Sequence, residues 1–427
     1  MDIRKKFRSS IRRGTGETHL IMKKYPEVDF SADIIKAALK NLSYDNQCEG
    51  DRATYVFELI KLSKQKEIIR QKILQGLLSE MEDTWAADQL FQLAFLFAKE
   101  GDTEFREAIY KRYAETTIDN SRWLGEDVIL ELDGLEGLLF IAESKGQIIK
   151  ENPDVWEDSF LVDEFQKENP NIKVMKALKK AAVKNHCIKS YLDALLKNKI
   201  ERRSVKIRKY NYDVMTDNIR ANNNFALPSA RAKELSESDI KRIADDFKKS
   251  KLRITLEKYL RVFDGVKYPY NFDDIFVQAK RPYSNRDRLV EYAVNSLRYF
   301  KSNRIREFAI DKLSNNSKNS EIYTNLLIAN YKNGDGKLLA DIVSNTENVN
   351  RIHDLACSYV EIYQANKTKD CRLPLLALYD KLNCGIHRKS IIEILNNNNV
   401  LAERIKLEIK YDSYLELREL ANQKLSQ

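Results

Sequence analysis

Apolar residues recur along the chain at the spacing of a helix with one buried face. Val290, Ala293, Val294 and Leu297 occupy positions i, i+3, i+4 and i+7, which a period of 3.6 residues gathers into one stripe. Ile352, Leu355, Ala356, Tyr359, Val360 and Tyr363 continue such a stripe over three turns, and Leu375, Leu378, Tyr379 and Leu382 repeat it. Nearer the N-terminus the same register is held by Ile35, Ala38, Leu39 and Leu42, and by Leu90, Leu93, Ala94, Phe97 and Ala98. Short polar breaks lie between the stripes: Gly101-Asp102, Asn315-Asn316-Ser317, Asn333-Gly334-Asp335-Gly336 and Asn396 to Asn399. Breaks this short force neighbouring helices to reverse direction, so the pattern predicts antiparallel helix hairpins. Composition agrees. The 427 residues include 13 Gly and 7 Pro, where average usage would supply about 30 and about 21. Few turn-formers leave little room for the short strands of a sandwich or barrel. The expected class is all-α.

A local pattern repeats among these helices. Arg306, Ala309 and Leu313 are spaced Arg-x-x-small-x-x-x-Leu; Arg388, Ile391 and Leu395 keep the spacing with a larger middle residue, and Arg418, Ala421 and Leu425 keep it with Ala. His353, Ala356 and Val360 form a variant. A small residue lets a partner helix approach, and the Leu one turn on fills the core. The Arg stem packs while its head reaches carbonyls or acids. Helix pairs at these intervals resemble HEAT/armadillo-like repeats over residues 281–427, and more loosely over the first 115. The resemblance implies an α-solenoid of stacked hairpins, each burying its face only against the next. The regular Pro of the first helix in each pair is absent here.

The stretch 222–229, Asn-Asn-Asn-Phe-Ala-Leu-Pro-Ser, interrupts the helical pattern and reads as a linker. It divides the chain into an N-terminal helical region, 1–225, and C-terminal repeats, 226–427. Within the first part, residues 115–170 are acidic, weakly periodic and bracketed by Asn152-Pro153 and Asn169-Pro170. They read as an excursion between helices.

Hydrophobic residues are 43% of the chain and charged ones 32%, too much apolar material for disorder. No stretch approaches the roughly 20 uncharged apolar residues that cross a bilayer. No apolar h-region follows Met1-Asp2-Ile3-Arg4-Lys5-Lys6, so no secretory signal is expected. Five Cys without regular spacing read as reduced thiols. The expectation is a soluble cytoplasmic protein without a membrane partner.

The net charge of +9 is unevenly spread. Residues 115–170 hold 15 acids against 4 bases, a net of −11, which leaves +20 for the rest. Basic residues cluster at Arg4, Lys5, Lys6, Arg8, Arg12 and Arg13, again from Lys197 to Lys209, and again at Arg298, Lys301, Arg304 and Arg306. Clustered cations suit a polyanion such as nucleic acid, although the acidic stretch is an internal alternative and a solvated helical surface a third. The candidate contact residues are Arg12, Arg13, Arg202, Arg203, Lys206, Arg208, Lys209 and Arg304. Tyr210 is placed among these cations to stack on an unpaired base.

Strong catalytic signatures are missing. The turn Gly14-Thr15-Gly16-Glu17-Thr18 lacks the Gly-Lys-Ser/Thr of a P-loop, though Arg12, Arg13 and His19 beside it could form a small anion site. No Gly-x-Ser-x-Gly, His-Glu-x-x-His or kinase signature occurs. His353, Cys357, Cys371, Cys384 and His387 concentrate thiols and imidazoles in 35 residues. Their spacing matches no finger or ribbon and includes no Cys-x-x-Cys pair, so zinc is not expected, nor any other metal or cofactor. Trp123 and Asp127, at i and i+4, would share a helix face. In these two residues the chain resembles the HEAT-like alkylpurine DNA glycosylases. The resemblance implies an Asp stabilising an oxocarbenium ion and a Trp packed on the cationic lesion.

Two function classes therefore stand. The first is a non-enzymatic helical-repeat scaffold presenting an extended surface to a macromolecular partner, protein or nucleic acid. The second is a nucleic-acid-binding or DNA-repair protein that uses the basic tracts on the same solenoid.

Overall fold

The computed structural model describes residues 2–115, 123–201, 210–220, 229–284, 286–315 and 320–424. Among these residues the regular elements are α-helices and short 3-10 turns, with no strand. No described helix is long and apolar enough to cross a membrane. Internal packing divides the chain into two compact units, Met1–Lys206 with Lys406–Gln427, and Ile207–Ile405. The stretch 222–229 lies largely outside the described residues.

In the first unit, helices Ile3–Arg13, Ser31–Ala38, Ala53–Leu62, Lys66–Leu77 and Thr84–Lys99 surround one core, with Phe7, Ile34, Leu59, Ile69, Leu90 and Leu93 fully buried. The stripe from Leu90 onwards falls on Thr84–Lys99. Asp83 starts that helix by accepting from the backbone N–H groups of Trp85 and Ala86, at 3.1 and 3.2 Å. The break at Gly101-Asp102 starts the next, because Asp102 accepts from Glu104 and Phe105 N–H groups.

The described residues of the acidic stretch include two helices of their own. Glu126–Glu151 is interrupted at Gly134, whose φ of 54° and ψ of −121° leave the helical region. The interruption resets the phase of the apolar stripe, which is why no single period runs through it. Phe160–Glu168 follows. These helices share a second core with Val174–Ala182 and His186–Glu201, built on Leu138, Ala142, Val162, Leu178 and Tyr191. The acids are answered locally. Lys145, about nine-tenths buried, lies 2.7 Å from Glu126 and 3.0 Å from Glu157, and Asp133 pairs with Arg106.

In the second unit, helices pack on their neighbour and on their next neighbour but one. Arg253–Gly265 packs on Leu289–Leu297, which packs on the 3-10 turn Ser320–Leu327, which packs on Val349–Ala365, which packs on Gly385–Asn397. A second row runs beside it, Asn303–Ser314 on Asp335–Ser344 and that on Arg372–Tyr379. The middle positions of the repeated pattern, Ala309, Ala356 and Ile391, are fully buried. The Arg heads are held as their position implies. Arg306 places two nitrogens 2.7 Å from Asp335 and donates to the Asn330 carbonyl at 2.8 Å. Arg388, fully buried, donates to the Asn383 carbonyl at 2.6 Å.

Candidate functional site

Of the sequence-derived contact residues, Arg202, Arg203, Lys206, Arg208 and Lys209 lie outside the described residues. Of the others, Arg13, Arg304 and Tyr210 are engaged by the protein itself. Arg13 is nearly buried beside Glu17, at 3.6 Å, while Arg12 is exposed and its carbonyl accepts from Arg52 at 2.8 Å. Arg304 pairs with Asp273 at 2.8 Å over the rings of Phe272 and Phe276. Its neighbours Arg298 and Arg306 are likewise tied to Glu361 and Asp335. Tyr210 carries the Arg231 guanidinium 5.0 Å from its ring centroid, and Tyr212 carries that of Arg242 at 3.6 Å. One face of Tyr210, the ring expected for a base, is therefore taken by a cation of the protein itself.

The Gly14–Thr18 turn is also occupied. The Ser413 N–H donates to the Gly14 carbonyl at 2.7 Å, and a Cβ on Gly16 would fall 1.8 Å from the Glu408 carbonyl oxygen. These glycines admit the C-terminal segment.

Trp123 and Asp127 do not share one helix. The helix starts at Glu126, after Gly125 turns the chain with φ 83°, and so Trp123 lies in the turn before it. Trp123 is 46% exposed and meets Trp85 edge-on, centroids 6.4 Å apart. Asp127 accepts a hydrogen bond from Gln92. Burial, reinforced by the charges of Asp127 and Asp51, pushes the Asp88 carboxyl up to about 7. Trp85 with Asp88 thus comes together with Trp123 and Asp127 in the first unit.

A cleft of about 400 Å³ opens in the second unit. Four carboxylates, Glu291, Glu321, Asp354 and Glu361, line it against a single arginine, Arg288. Three of the carboxylates have arginine partners: Glu291 with Arg288, Glu321 with Arg351 at 2.7 Å and Glu361 with Arg298 at 3.3 Å. Asp354 has no Lys or Arg within ion-pair distance among the described residues, and burial raises its carboxyl. Motif reasoning passes over these residues, yet a signal exists. Asp354, Cys357, Ser358 and Glu361 form a polar i, i+3, i+4, i+7 stripe beside the apolar one on Val349–Ala365.

The same helix carries one half of a His/Cys group. His353 and Cys357, one turn apart, face His387 near the start of Gly385–Asn397, and one donor atom from each residue lies within 4.8 Å of the others. Cys357 Sγ is 3.2 Å from His387 Nε2 and 4.0 Å from His353 Nδ1. The imidazole rings meet edge to face, centroids 4.5 Å apart. On the far side of the ring, His387 Nδ1 is 3.2 Å from Cys384 Sγ. Burial, with His353 adding to it, pushes His387 down to about 4. Burial, with Asp354 and Cys384 adding to it, pushes the Cys357 thiol up to about 11. Two imidazoles and a thiol are the donor types of a Zn²⁺-class ion, not of Mg²⁺ or Ca²⁺. All five cysteines are free thiols, and Cys371, buried in the core, stands outside this group.

No protein-family model matches the chain, and no curated protein matches it.

Proposed function

We propose that this protein is a non-enzymatic helical-repeat binding protein, with hairpins stacked as a HEAT-like solenoid, whose partner is a protein presenting a basic segment. The two rows of helices in the second unit, each element packed on the next but one, support the solenoid. The acid-lined cleft carries the choice of partner. Three of its four carboxylates are paired with arginine, and Asp354, without a Lys or Arg partner among the described residues, disfavours phosphate and favours a lysine or arginine side chain. The internal pairing of Arg298, Arg304 and Arg306 weighs against that basic tract as a nucleic-acid surface.

Peptide display tests this reading. Random peptides are selected on the full chain and counter-selected on a Glu321→Gln, Asp354→Asn, Glu361→Gln variant. Survivors should be rich in Lys and Arg and should bind more weakly as salt rises. Survivors without basic residues, or equal binding to both proteins, would refute it.

A second reading rests on the first unit, where Trp85, Trp123, Asp88 and Asp127 converge. It is a glycosylase-type site for a cationic base. Release of methylated purines from duplex DNA, abolished in Asp127→Asn, is its test.

A further inference from the structure

We infer that His353, Cys357 and His387 form a binding site for a single Zn²⁺-class ion in the second unit, with Cys384 holding the His387 ring from behind. The geometry carries this. Tetrahedral zinc with Zn–S about 2.3 Å and Zn–N about 2.0–2.1 Å separates sulfur and nitrogen by about 3.6 Å. The distances from Cys357 Sγ to the two imidazole nitrogens, 3.2 and 4.0 Å, bracket that value. The three ligands come from two helices that pack on each other, so the site is held by secondary structure rather than by a loop. Chain spacing argues against a finger or ribbon, but it says nothing about donors that helix packing brings together.

Cys384 has a separate task. Its sulfur faces Nδ1 of His387, while Nε2 faces Cys357. An Nδ1–H donated to Cys384 leaves the Nε2 lone pair for the metal, which is the part an outer partner plays for a ligating histidine. Cys384 is therefore a positioning residue and not a fourth ligand. Three protein ligands leave one tetrahedral position. Cys357 forms part of the wall of the acid-lined cleft, so water or a donor from a molecule in the cleft completes the shell. The neighbouring carboxylates raise the local concentration of cations.

The test uses the full chain, purified through a chelator and titrated with Co²⁺, then with Zn²⁺. Thiolate–cobalt charge transfer should appear in the near ultraviolet, with visible d–d bands of a four-coordinate ion. Zinc should displace cobalt at one ion per chain by elemental analysis. Cys357→Ser should abolish the charge-transfer band, and His353→Gln or His387→Gln should prevent saturation. Cys384→Ser should keep the band while weakening affinity by about 10–100-fold. Cys48→Ser, which removes an exposed thiol elsewhere, should change nothing. Circular dichroism checks that each variant folds, and His353→Gln supplies the reading if Cys357→Ser does not fold. A wild type without the band, a band that survives Cys357→Ser, or one lost in Cys48→Ser overturns the assignment.

Discussion

Arg418 and Glu58 are 360 residues apart in the chain, and their side chains form a two-pronged ion pair at 2.7 and 3.0 Å. Arg418 also donates to the Asp412 carbonyl at 2.5 Å. The fork fastens Leu415–Lys424 to Ala53–Leu62 within the first unit. Arg418 is 15% exposed and Glu58 33%, between the surface and fully buried cases. Glu58→Ala should therefore cost about 2 kcal/mol by denaturant titration, and Arg418→Lys about 1, since a lysine keeps the charge without the fork. If both variants match the wild type, the C-terminal segment is not a stabilising part of this unit.

Gly16 gives a purely steric version of the same test. Its φ of −65° and ψ of −8° suit any residue, so the penalty is the collision of a Cβ with the Glu408 carbonyl and the Tyr411 Cβ. Gly16→Ala should cost about 1–3 kcal/mol, the usual range for overpacking. Amide exchange in residues 408–424 should rise selectively, because the partner that must move lies there.

The helices were legible because burial on one face leaves a period in the sequence; Leu90 to Ala98 and Ile352 to Tyr363 fall on Thr84–Lys99 and Val349–Ala365. The Arg418–Glu58 pair was not, since a contact between distant segments leaves no periodic trace. Electrostatic reasoning was limited in the same way. A run of cations is visible in sequence, but whether Asp273, Asp335 or Glu361 lies opposite depends on packing. The His/Cys group was half legible: His353 and Cys357 share a helix face by spacing alone, whereas His387 arrives on a neighbouring helix.

Lys145 makes the acidic segment of the first unit tolerable. Its ammonium lies between Glu126 and Glu157, and all three groups are nearly buried. Lys145→Met should leave two carboxylates facing each other out of water, at a cost of about 3–5 kcal/mol. Adding Glu126→Gln and Glu157→Gln to it should recover much of that loss, because neutral amides do not repel. No recovery in the triple variant would mean that Lys145 acts through packing of its stem.

Ala309, fully buried on Asn303–Ser314, tests the repeated small position. Ala309→Leu should lower stability by about 1–3 kcal/mol, while Ala309→Gly should cost less, about 1 kcal/mol from helix propensity. An unchanged melting curve for the Leu variant would place no partner helix against this residue.

His19 makes the first unit sensitive to acid. Its ring stacks on Tyr411 at 3.9 Å and 9°, and neither ring nitrogen has a hydrogen-bond partner among the described residues. Burial, with the charge of Lys23 adding to it, pushes the imidazole from 6.5 down to about 4. Between those values the unfolded chain binds the proton and the folded chain does not, so stability rises with pH across the window. The contribution is complete above pH 6.5 and is lost as pH falls towards 4. At about 1.36 kcal/mol per pH unit, the loss reaches at most about 3 kcal/mol. His387 titrates in the same direction in the other unit, so the informative comparison is wild type against His19→Gln. Without an imidazole to protonate, the variant should lose less stability between pH 6.5 and 4, and its residues 408–424 should show less extra amide exchange in acid. Identical pH profiles would mean that His19 takes up its proton in the folded state, and that the Tyr411 stack does not keep the imidazole neutral.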